Sequence, residues 1–599
     1  MQRLADYVVS RLEAEGIRHL FYVPGGQCVY LTDALRRSQG IEGISTHHEQ
    51  AAAMAAIAYA TVNEKLGACL VTTGCAGTNT LTAVLHAWQD SIPLIIISGQ
   101  QAWAQTVKAS RLPLRQVGIQ EADIETIVRP ITKYAATVSD PHAIAWHLDQ
   151  ALHLAMSGRK GPVWIDLPLD VQNSMVDEGK LQRFVCHDAP LEPDEADLAY
   201  VSSAWKNSRR PVILAGNGVR SAGAKEQLLA LASKLQCPVV MSRLADDLMP
   251  FSHPLNFGLI GGVAGANRYA NFIVQNSDLL LVVGSRLSIE VTGPSRADFA
   301  REAVKVVCDV DRIEHCKDGV HADRFVHADA RAWLEALAGL ELQKAPSEWL
   351  SKCRHWKEIF AYKAEECASG LMDMKALMGM ISRKAPEGTW YVSDAGFTGA
   401  CAPACTELRQ GERFIMALSQ GEMGFALPGG CGACTLAPGA VVSYNGDGSV
   451  MMNLQELQTV ARNGFNLKIV IINNNGYSGV RHGQKAHFRG KTMGTDPSCG
   501  LDFPDFGKVA AAFGIPYGKA RNYDEAMDAC GRMFGMNGPF ILEAMCDPDQ
   551  FDLHNGLVMY GKRKFGFRPI EDQSPYIDRD LFFREMIAKP METSGGKPV

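Results

Sequence analysis

Residues 446–480 read GDGSVMMNLQELQTVARNGFNLKIVIINNNGYSGV, and this stretch decides the fold class. A strand ends at its GDG triplet, an amphipathic helix follows, and a second apolar strand, LKIVIINN, comes after it. We expect Ser449 to cap the helix and Gly464 to end it in a left-handed conformation. Such a strand–helix–strand unit brings Asp447 and Asn474 to neighbouring strand ends, where open α/β sheets bind their ligands.

The same alternation of apolar strands and helical stretches extends over most of the 599 residues. The clearest further strands are ACLVTTG (68–74), LIIISG (94–99), PVWIDLP (162–168), PVILAGNG (211–218), DLLLVVGS (278–285), VKVVCDVD (304–311) and GAVVSYNGDG (439–448). Near-continuous apolar strands bounded by turn residues are typical of parallel sheets covered on both faces. The sequence therefore predicts an α/β protein.

Two polar stretches interrupt this alternation and predict linkers, CHDAPLEPDE at 186–195 and LQKAPSEW at 342–349. We therefore expect three domains, each a doubly wound parallel sheet. Their expected ranges are 1–185, 190–342 and 350–560, followed by a C-terminal tail at 561–599.

The composition argues against several classes of partner. The chain has 59 Lys and Arg against 65 Asp and Glu, a net charge of −6, which indicates neither nucleic acid nor an anionic membrane. The strand-like apolar runs have four or five residues, whereas a membrane span needs about 18. The N-terminal MQRLADYVVSRLEAEG predicts an amphipathic helix without a secretory signal. Sixteen scattered cysteines fit a reducing compartment, so we expect a cytoplasmic protein.

The two strand ends in residues 446–480 offer oxygen ligands. The carboxylate of Asp447, the amide oxygen of Asn474 and the carbonyl of Gly476 are hard ligands suited to Mg²⁺. Gly446 and Gly448 let the backbone approach a phosphate, and the N-terminus of the following helix favours its charge. GDG alone is also an ordinary turn, but GDG and NN at this spacing predict a metal–diphosphate site. The triple asparagine leaves the choice between residues 474 and 475 open.

With these motifs the chain resembles thiamine diphosphate-dependent enzymes, and over nearly its whole length the acetolactate synthase-like family. The resemblance is carried, in the family's order, by PGG (24–26), HHEQAAAMAAIAYA (47–60), GCAGTN (74–79), DSIPLIIISGQ (90–100), IQEADI (119–124), ITKY (131–134), GPVWIDLP (161–168) and GEMGFALPGG (421–430). It implies pyrimidine-binding, central and diphosphate-binding domains. It also implies active sites between two chains, hence a homodimer or homotetramer.

The resemblance implies roles for individual residues. Glu49 matches the glutamate that hydrogen-bonds the pyrimidine N1′ and favours the tautomer that removes the thiazolium C2 proton. Met423 matches the residue that holds the cofactor bent, although a methionine there is also an ordinary core residue. Gln120 matches a glutamine of the substrate pocket, the alternative being a solvated loop. The implied catalytic residues are Glu49, Gln120 and Met423. Cofactor contacts are implied for Gly25, Gly26, Glu49, Asn79, Met423, Gly446, Gly448, Ser449, Asn474 and Gly476, and metal contacts for Asp447, Asn474 and Gly476.

The central domain resembles the one that holds FAD in acetolactate synthases. AGNG (215–218) and GSRL (284–287) lie at strand ends where a dinucleotide can rest, but both are also plain turns. Many relatives keep this domain without flavin, so the sequence leaves FAD open.

Histidines and cysteines near these motifs have plainer interpretations. We expect His47 and His48 to pack or to cap a helix rather than to shuttle protons. The CxxC at 431–434 and the CxxxC at 401–405 invite zinc. However, CGACTLA occupies what is an apolar helix in the family, so we expect packed thiols.

Two acceptor determinants of acetolactate synthase are absent from the sequence. The family has an arginine before a VTG-like triplet, whereas Val291-Thr292-Gly293 follows Glu290, an anion that repels a carboxylate. The tryptophan expected after the NN motif is missing at 481–484. The basic stretch RHGQKAHFRGK (481–491) is either a solvated loop or a lid for an anionic acceptor. Further segments resemble a branch of the family that accompanies surface-polysaccharide biosynthesis, which makes a keto-sugar one candidate acceptor.

The sequence thus predicts an enzyme dependent on thiamine diphosphate and Mg²⁺. It would decarboxylate a pyruvate-like 2-oxo acid and join the acyl carbanion to a carbonyl acceptor. The alternatives are a simple decarboxylase or C–C lyase on the same scaffold and, from another class, a catalytically silent regulatory subunit. The presence of Glu49 argues against a catalytically silent subunit, because loss of that carboxylate is the simplest route to inactivity.

Overall fold

The structure is a computed structural model that describes residues 1–364, 367, 369–550 and 552–598. Within them, three parallel α/β sheets of six strands follow one another along the chain, which confirms the predicted fold class. We number the strands of these sheets β1–β18. The long apolar strands are fully buried, as expected for sheets covered on both faces.

The first sheet has the strand order β2-β1-β3-β4-β6-β5. Its strands are β1 His19–Tyr22, β2 Glu42–Ser45, β3 Gly67–Val71, β4 Leu94–Gln100, β5 Tyr134–Thr137 and β6 Pro162–Pro168. The α-helices around it are Leu4–Ala14, Val29–Arg37, Glu49–Asn63, Cys75–Asn79, Leu81–Asp90, Val107–Ser110, Ile124–Val128, Ile144–Met156 and Leu169–Gln172. A short antiparallel pair, Gln2–Arg3 with Met175–Val176, joins the two ends of this domain.

The second sheet has the order β9-β8-β7-β10-β11-β12, which reverses direction between β7 and β10. Its strands are β7 Pro211–Ala215, β8 Val239–Met241, β9 Asn256–Leu259, β10 Leu279–Val283, β11 Val304–Cys308 and β12 Arg324–Val326. Its helices are Glu195–Asn207, Asn217–Ser221, Lys225–Leu235, Arg268–Gln275, Ile289–Thr292 and Ala330–Gly339. This is the order of a dinucleotide-binding fold, whose ligand lies at the point of reversal.

The third sheet repeats the topology of the first, with the order β14-β13-β15-β16-β18-β17. Its strands are β13 Trp390–Ser393, β14 Phe414–Met416, β15 Val441–Gly446, β16 Leu467–Asn473, β17 Tyr517–Ala520 and β18 Phe540–Met545. Its helices are Met374–Lys384, Gly396–Cys405, Ala426–Cys434, Glu456–Asn463, Ser478–His487, Phe506–Ala512 and Tyr523–Phe534. The sequence alone did not show this likeness between the first and third units.

Segments near the predicted boundaries pack on the second sheet. The helix Ser347–Ile359, which the predicted boundary at 350 divides, contributes Trp349 and Trp356 to the core of the second domain. The predicted tail adds Ile570 and Phe582 to the same core. It also forms the helix Arg579–Glu585, and its strands Lys564–Phe567 and Lys597–Pro598 pair with Leu557–Gly561 in an antiparallel sheet. The domain boundaries themselves stay predictions.

The first and third domains share one core. The helix Glu49–Asn63 packs against the helix Ala426–Cys434, and a Cβ at Gly432 would lie 2.1 Å from the carbonyl oxygen of Ala55. Cys431 is buried in this core, which agrees with a packed thiol. All sixteen cysteines are free thiols. Among the described residues, we find no helix with the length and apolar character to cross a membrane.

One local prediction in residues 446–480 was wrong. Ser449 does not cap the following helix, because its own backbone is already helical (φ −66°, ψ −42°) and its side chain makes no capping hydrogen bond. A 3₁₀ turn, Val450–Asn453, comes first, and the α-helix starts only at Glu456. Gly464 ends that helix with φ +61°, as predicted.

Candidate active site

Asp447 lies directly after β15 and is almost completely buried. Its carboxylate oxygens accept hydrogen bonds from the backbone N–H groups of Gly448 at 2.7 Å and Gly476 at 2.9 Å. Burial raises the pKa of Asp447 to about 6, although these two hydrogen bonds lower it. Because β15 and β16 are neighbours in the sheet, the loops that follow them meet at this carboxylate.

The loop after β16 distinguishes between the candidate asparagines. Asn474 is 9% exposed and donates from Nδ2 to Ser478 Oγ at 2.9 Å. Asn475 has an exposed side chain and a left-handed backbone with φ +57°. The guanidinium of Arg481 donates to the backbone carbonyls of Asn474 (3.1 Å) and Asn475 (2.9 Å) and thereby holds the loop. Asn474 is therefore the one of the two whose side chain is enclosed by the protein.

Two glycines in these loops have no room for a side chain. A Cβ at Gly476 would lie 2.0 Å from the carbonyl oxygen of Thr495, and its φ of +139° strains any other residue. A Cβ at Gly448 would lie 2.1 Å from the ring of Tyr477. Around Gly446, in contrast, a Cβ would make only ordinary contacts with Ser449. The close contacts of Gly476 with the Thr495 backbone and of Gly448 with the Tyr477 ring keep the loops compact around Asp447.

The first half of the basic stretch 481–491 is helical rather than a loop. Residues up to His487 continue the helix Ser478–His487, and Arg481 is 4% exposed. Lys485 forms an ion pair of 2.9 Å with Asp549. The solvated-loop alternative is thus corrected for residues 481–487, where Arg481 binds the backbone carbonyls of the loop after β16, whereas the lid for an anionic acceptor stays a prediction.

Glu49 is the first residue of the helix Glu49–Asn63, and its half-buried carboxylate accepts a hydrogen bond from Asn79 Nδ2 at 2.8 Å. His48 caps this helix, since its Nδ1 accepts the N–H of Gln50 at 3.0 Å, as the capping interpretation predicted. His47 Nδ1 lies 3.0 Å from the hydroxyl of Thr459. The helix therefore presents Glu49 at its N-terminal end in a fixed orientation.

The segment that carries Met423 is held by Asp394, a residue that the sequence analysis missed. Asp394 follows β13, is fully buried, and accepts the N–H groups of Gly424 at 2.9 Å and Phe425 at 3.1 Å. Burial raises the pKa of Asp394 to about 7. Met423 itself is 36% exposed, so it is not a core methionine. The strand-end pattern SDAG, which parallels the GDG after β15, was the available signal for Asp394.

A second missed feature is the buried cluster of His86, Asp90 and Glu422. His86 Nδ1 lies 2.6 Å from Glu422 Oε1, and His86 Nε2 lies 3.3 Å from Asp90 Oδ2. Burial alone lowers the pKa of His86, but the two carboxylates outweigh it and raise the pKa to about 10. His86 is thus a buried imidazolium that ties the helix Leu81–Asp90 of the first domain to the residue before Met423. Such contacts join distant parts of the chain, so no local pattern reveals them.

The remaining predicted residues of the first domain lie in loops. Gly25 packs next to Thr72, and Gly26 faces open space. Gln120 has an exposed side chain and φ +62°, and its carbonyl oxygen lies against Gly74, which precedes the helix that ends at Asn79. The predicted site residues thus contact one another in two groups. Glu49 and Asn79 form one in the first domain, and Asp447, Gly448 and Gly476 form the other in the third domain.

Glu290 has a partner that the sequence did not indicate. Its carboxylate forms an ion pair with the guanidinium of Arg243, which is 6% exposed. Burial lowers the pKa of Arg243 to about 10, far above neutrality, so the guanidinium stays charged. The anion at residue 290 is therefore compensated, and the simple repulsion expected from Glu290 is corrected.

A cavity of about 1170 Å³ opens at the carboxyl ends of β7 and β10. It is lined by Asn217 and Gly218 after β7 and by Gly284, Ser285 and Arg286 after β10. These are the AGNG and GSRL strand ends, and they flank the reversal point of the second sheet. The cavity also reaches residues of the first and third domains, among them Asp90 and Ser419.

The donors around Asp447 fit a hard divalent cation. One carboxylate, one enclosed amide and backbone carbonyls are oxygen ligands of the kind that Mg²⁺ takes, together with phosphate oxygens. The compact glycine-rich loops would allow backbone N–H groups to approach such a phosphate. The residues present therefore fit a metal-bound diphosphate.

Comparison with known protein families identifies the family of the chain. Family models match residues 2–127 as the N-terminal TPP binding domain of thiamine pyrophosphate enzymes, 199–337 as their central domain, and 394–544 as their C-terminal TPP binding domain. A curated relative, the probable acetolactate synthase large subunit of Methanocaldococcus jannaschii, is 31% identical over 91% of this chain and 92% of its own. The chain belongs to the thiamine pyrophosphate enzyme family.

Further relatives of this thiamine pyrophosphate enzyme are also acetolactate synthases. The acetolactate synthase isozyme 2 large subunit of Escherichia coli K12 is 30% identical over 91% of this chain and 95% of its own. The acetolactate synthase large subunit of Parasynechococcus marenigrum is 32% identical over 85% and 82% of the two chains. The chain is an acetolactate synthase-like, thiamine diphosphate-dependent enzyme with decarboxylation and carboligation chemistry.

Proposed function

We propose that this enzyme decarboxylates a pyruvate-like 2-oxo acid and joins the resulting acyl unit to a carbonyl acceptor. The observation that carries the proposal is the carboxylate of Glu49, held by Asn79 at the start of a helix that packs on the third domain. A silent regulatory subunit has no need of this oriented carboxylate. Its presence supports an active enzyme.

The cofactor would be held by both domains. Asp447, Asn474 and the carbonyl of Gly476 would bind Mg²⁺, and the backbone around Gly448 would contact the diphosphate. We assign the metal to Asn474 rather than Asn475, because the Asn475 side chain is exposed. When bound, thiamine diphosphate supplies the electron sink for cleavage and formation of the carbon–carbon bond.

The protein's own residues would orient the cofactor and the substrate and hold a proton on the cofactor. Glu49 would accept a hydrogen bond from the pyrimidine N1′ and stabilise the proton at that nitrogen, and Asn79 fixes the carboxylate for this role. Met423, whose segment is held by Asp394 and by the contact of Glu422 with His86, would support the cofactor ring. Gln120 would face the substrate from its exposed loop.

We propose an acceptor without the carboxylate that acetolactate synthesis requires, for instance a keto-sugar. Glu290 supports this, because it stands where the family has an acceptor-binding arginine and its charge already occupies the guanidinium of Arg243. A neutral carbonyl acceptor would meet a compensated ion pair instead of a free cation. A free Arg243 would favour a second 2-oxo acid.

The products of pyruvate, with and without aldehyde and keto-sugar acceptors, test this proposal by mass spectrometry. A ligation product with a neutral acceptor, in excess over acetolactate, is expected. In Glu290→Gln, which frees Arg243, acetolactate formation should rise about tenfold, since one charge-assisted hydrogen bond contributes about 1.5 kcal/mol or more. Glu290→Asp, which keeps the charge, is the control. Acetaldehyde alone under every condition would reject a carboligase in favour of a simple decarboxylase.

We further propose that the 1170 Å³ cavity takes a dinucleotide, with FAD as the family's candidate, in a structural role. The strand order of the second sheet and the position of the cavity at its reversal point support this. A volume near the upper end of ordinary ligand sites, about 1000 Å³, suits so large a ligand.

Assembly into a homodimer or homotetramer is also a proposal. The loop before Gln120 exposes Leu112, Leu114, Val117 and Ile119, the last with 80% of its surface accessible. Apolar side chains clustered in this way are typical of a contact with another chain. A second copy covering this loop would enclose Gln120 and the substrate.

A further inference from the structure

Three different ligand-type side chains converge near the end of the first domain, at a wall of the cavity described above. His153 lies in the helix Ile144–Met156, and Cys186 and Asp188 lie in the linker that leads to the second domain. His153 Nε2 is 2.8 Å from Asp188 Oδ2 and 3.2 Å from Cys186 Sγ. The three donor atoms all lie within 4.8 Å of one another.

The geometry differs from that of a nucleophile relay. In a Cys–His–Asp relay the acid and the thiol contact opposite nitrogens of the imidazole, so that a proton passes through the ring. Here the carboxylate and the thiol both approach Nε2, which can donate only one proton. Three ligand-type atoms gathered within 4.8 Å of one another are instead an arrangement that a shared cation can use.

We propose that His153, Cys186 and Asp188 form a binding site for a divalent transition metal, with Zn²⁺ as the best match. Bond lengths of about 2.0–2.3 Å in a tetrahedral zinc site place neighbouring ligand atoms about 3.4–3.6 Å apart. The observed separations of 2.8 and 3.2 Å would therefore open by about 0.6 and 0.3 Å, respectively. The fourth position would take water, since Asp188 is exposed on the solvent side.

A backbone hydrogen bond fixes the position of the Cys186 sulfur. The backbone N–H of Asp188 donates to Cys186 Sγ at 3.2 Å. On binding, the thiol proton is released to solvent, and one thiolate and one carboxylate balance the two charges of the cation. The ring of Phe184, 5.8 Å from His153, covers one side of the cluster.

The site has a structural consequence at the dinucleotide cavity. His153 and Asp188 both line that cavity, together with Ala189 and Pro190 of the same linker. A cation bound to both elements would fasten the linker to the helix Ile144–Met156 and fix one wall of the cavity. The proposal does not depend on which ligand the cavity takes.

Cobalt binding to the full-length, metal-depleted protein tests the site, because Co²⁺ bound to a thiolate gives a sulfur-to-metal charge-transfer band. We expect that band at one equivalent and its displacement by Zn²⁺. The Asp447 site offers only oxygen ligands and cannot produce it, so failure of the proposed cofactor site would leave this result unchanged. No charge-transfer band would overturn the proposal.

Two variants and a control complete the test. Cys186→Ser should abolish the band, and Asp188→Asn should weaken Co²⁺ binding at least about tenfold while the band persists at high Co²⁺. Cys316→Ser removes another exposed thiol and should change neither property. All three positions are partly or fully exposed, and circular dichroism checks the fold. A band that persists in Cys186→Ser, or is lost in Cys316→Ser, would contradict the assignment.

Discussion

Replacement of His86 tests whether the buried imidazolium holds the Met423 segment in place. His86→Leu leaves the carboxylates of Asp90 and Glu422 buried without their shared cation. Removing one partner of a buried ion pair costs about 3–5 kcal/mol. The rise in the pKa of His86 from 6.5 to about 10 corresponds to a stabilisation of similar size, about 5 kcal/mol, at about 1.4 kcal/mol for each unit of pKa.

The pH dependence of this loss has a defined sign. Because the pKa of His86 is higher in the folded than in the unfolded protein, its stabilisation is complete below about pH 6.5. It decreases as the pH rises towards about 10, where the folded imidazolium loses its proton. The difference in unfolding free energy between the wild type and His86→Leu should therefore be largest at pH 6 and shrink by pH 9.5.

Urea unfolding followed by tryptophan fluorescence at the two pH values measures this difference. A double-mutant cycle with Glu422→Gln should give a coupling free energy of about 1–3 kcal/mol. His142→Leu replaces an exposed histidine of the same domain and should change the stability by no more than about 0.5 kcal/mol. Additive single effects, or a difference that grows between pH 6 and 9.5, would refute the reasoning.

Two further predictions concern the ligand sites. Gly476→Ala should weaken Mg²⁺-dependent binding of thiamine diphosphate about tenfold or more in calorimetric titrations, because the new Cβ would strike the carbonyl of Thr495. Gly483→Ala, whose Cβ meets open space on a neighbouring helix, should bind normally, and equal affinities would contradict the metal-loop assignment. Visible absorption of the purified protein should show bound flavin, and Gly218→Leu should remove it, since Gly218 already packs against Gly284. Absence of flavin bands even after incubation with FAD would exclude FAD as the occupant.

The fold and the cofactor motifs could be predicted because their signals are local. The apolar strands with polar ends mark the sheets, and the GDG and NNN ends of β15 and β16 are brought together by strand adjacency alone. The left-handed Gly464 is likewise set within its own helix. For such features, sequence spacing and chain geometry carry the whole argument.

The missed features depend on contacts between segments far apart in the chain. His86 meets Glu422, and Glu290 meets Arg243, across 336 and 47 residues, so neither pair leaves a local pattern. Ser449 failed as a cap because a 3₁₀ turn takes up the start of its helix. The solvated-loop interpretation failed for the start of the basic stretch after the NNN motif, because Arg481 is buried in a helix, where its guanidinium binds loop carbonyls.

The most direct test of the account is the rate at which bound thiamine diphosphate exchanges its C2 proton for deuterium. We predict that Glu49→Gln binds the cofactor with nearly unchanged affinity but exchanges that proton about 100-fold more slowly or worse, since an oriented acid or base contributes about 10²–10⁴. Asn79→Ala, which removes the side chain that fixes Glu49 but keeps the carboxylate, should show a smaller decrease. Wild-type exchange in Glu49→Gln with the cofactor bound would contradict the central claim.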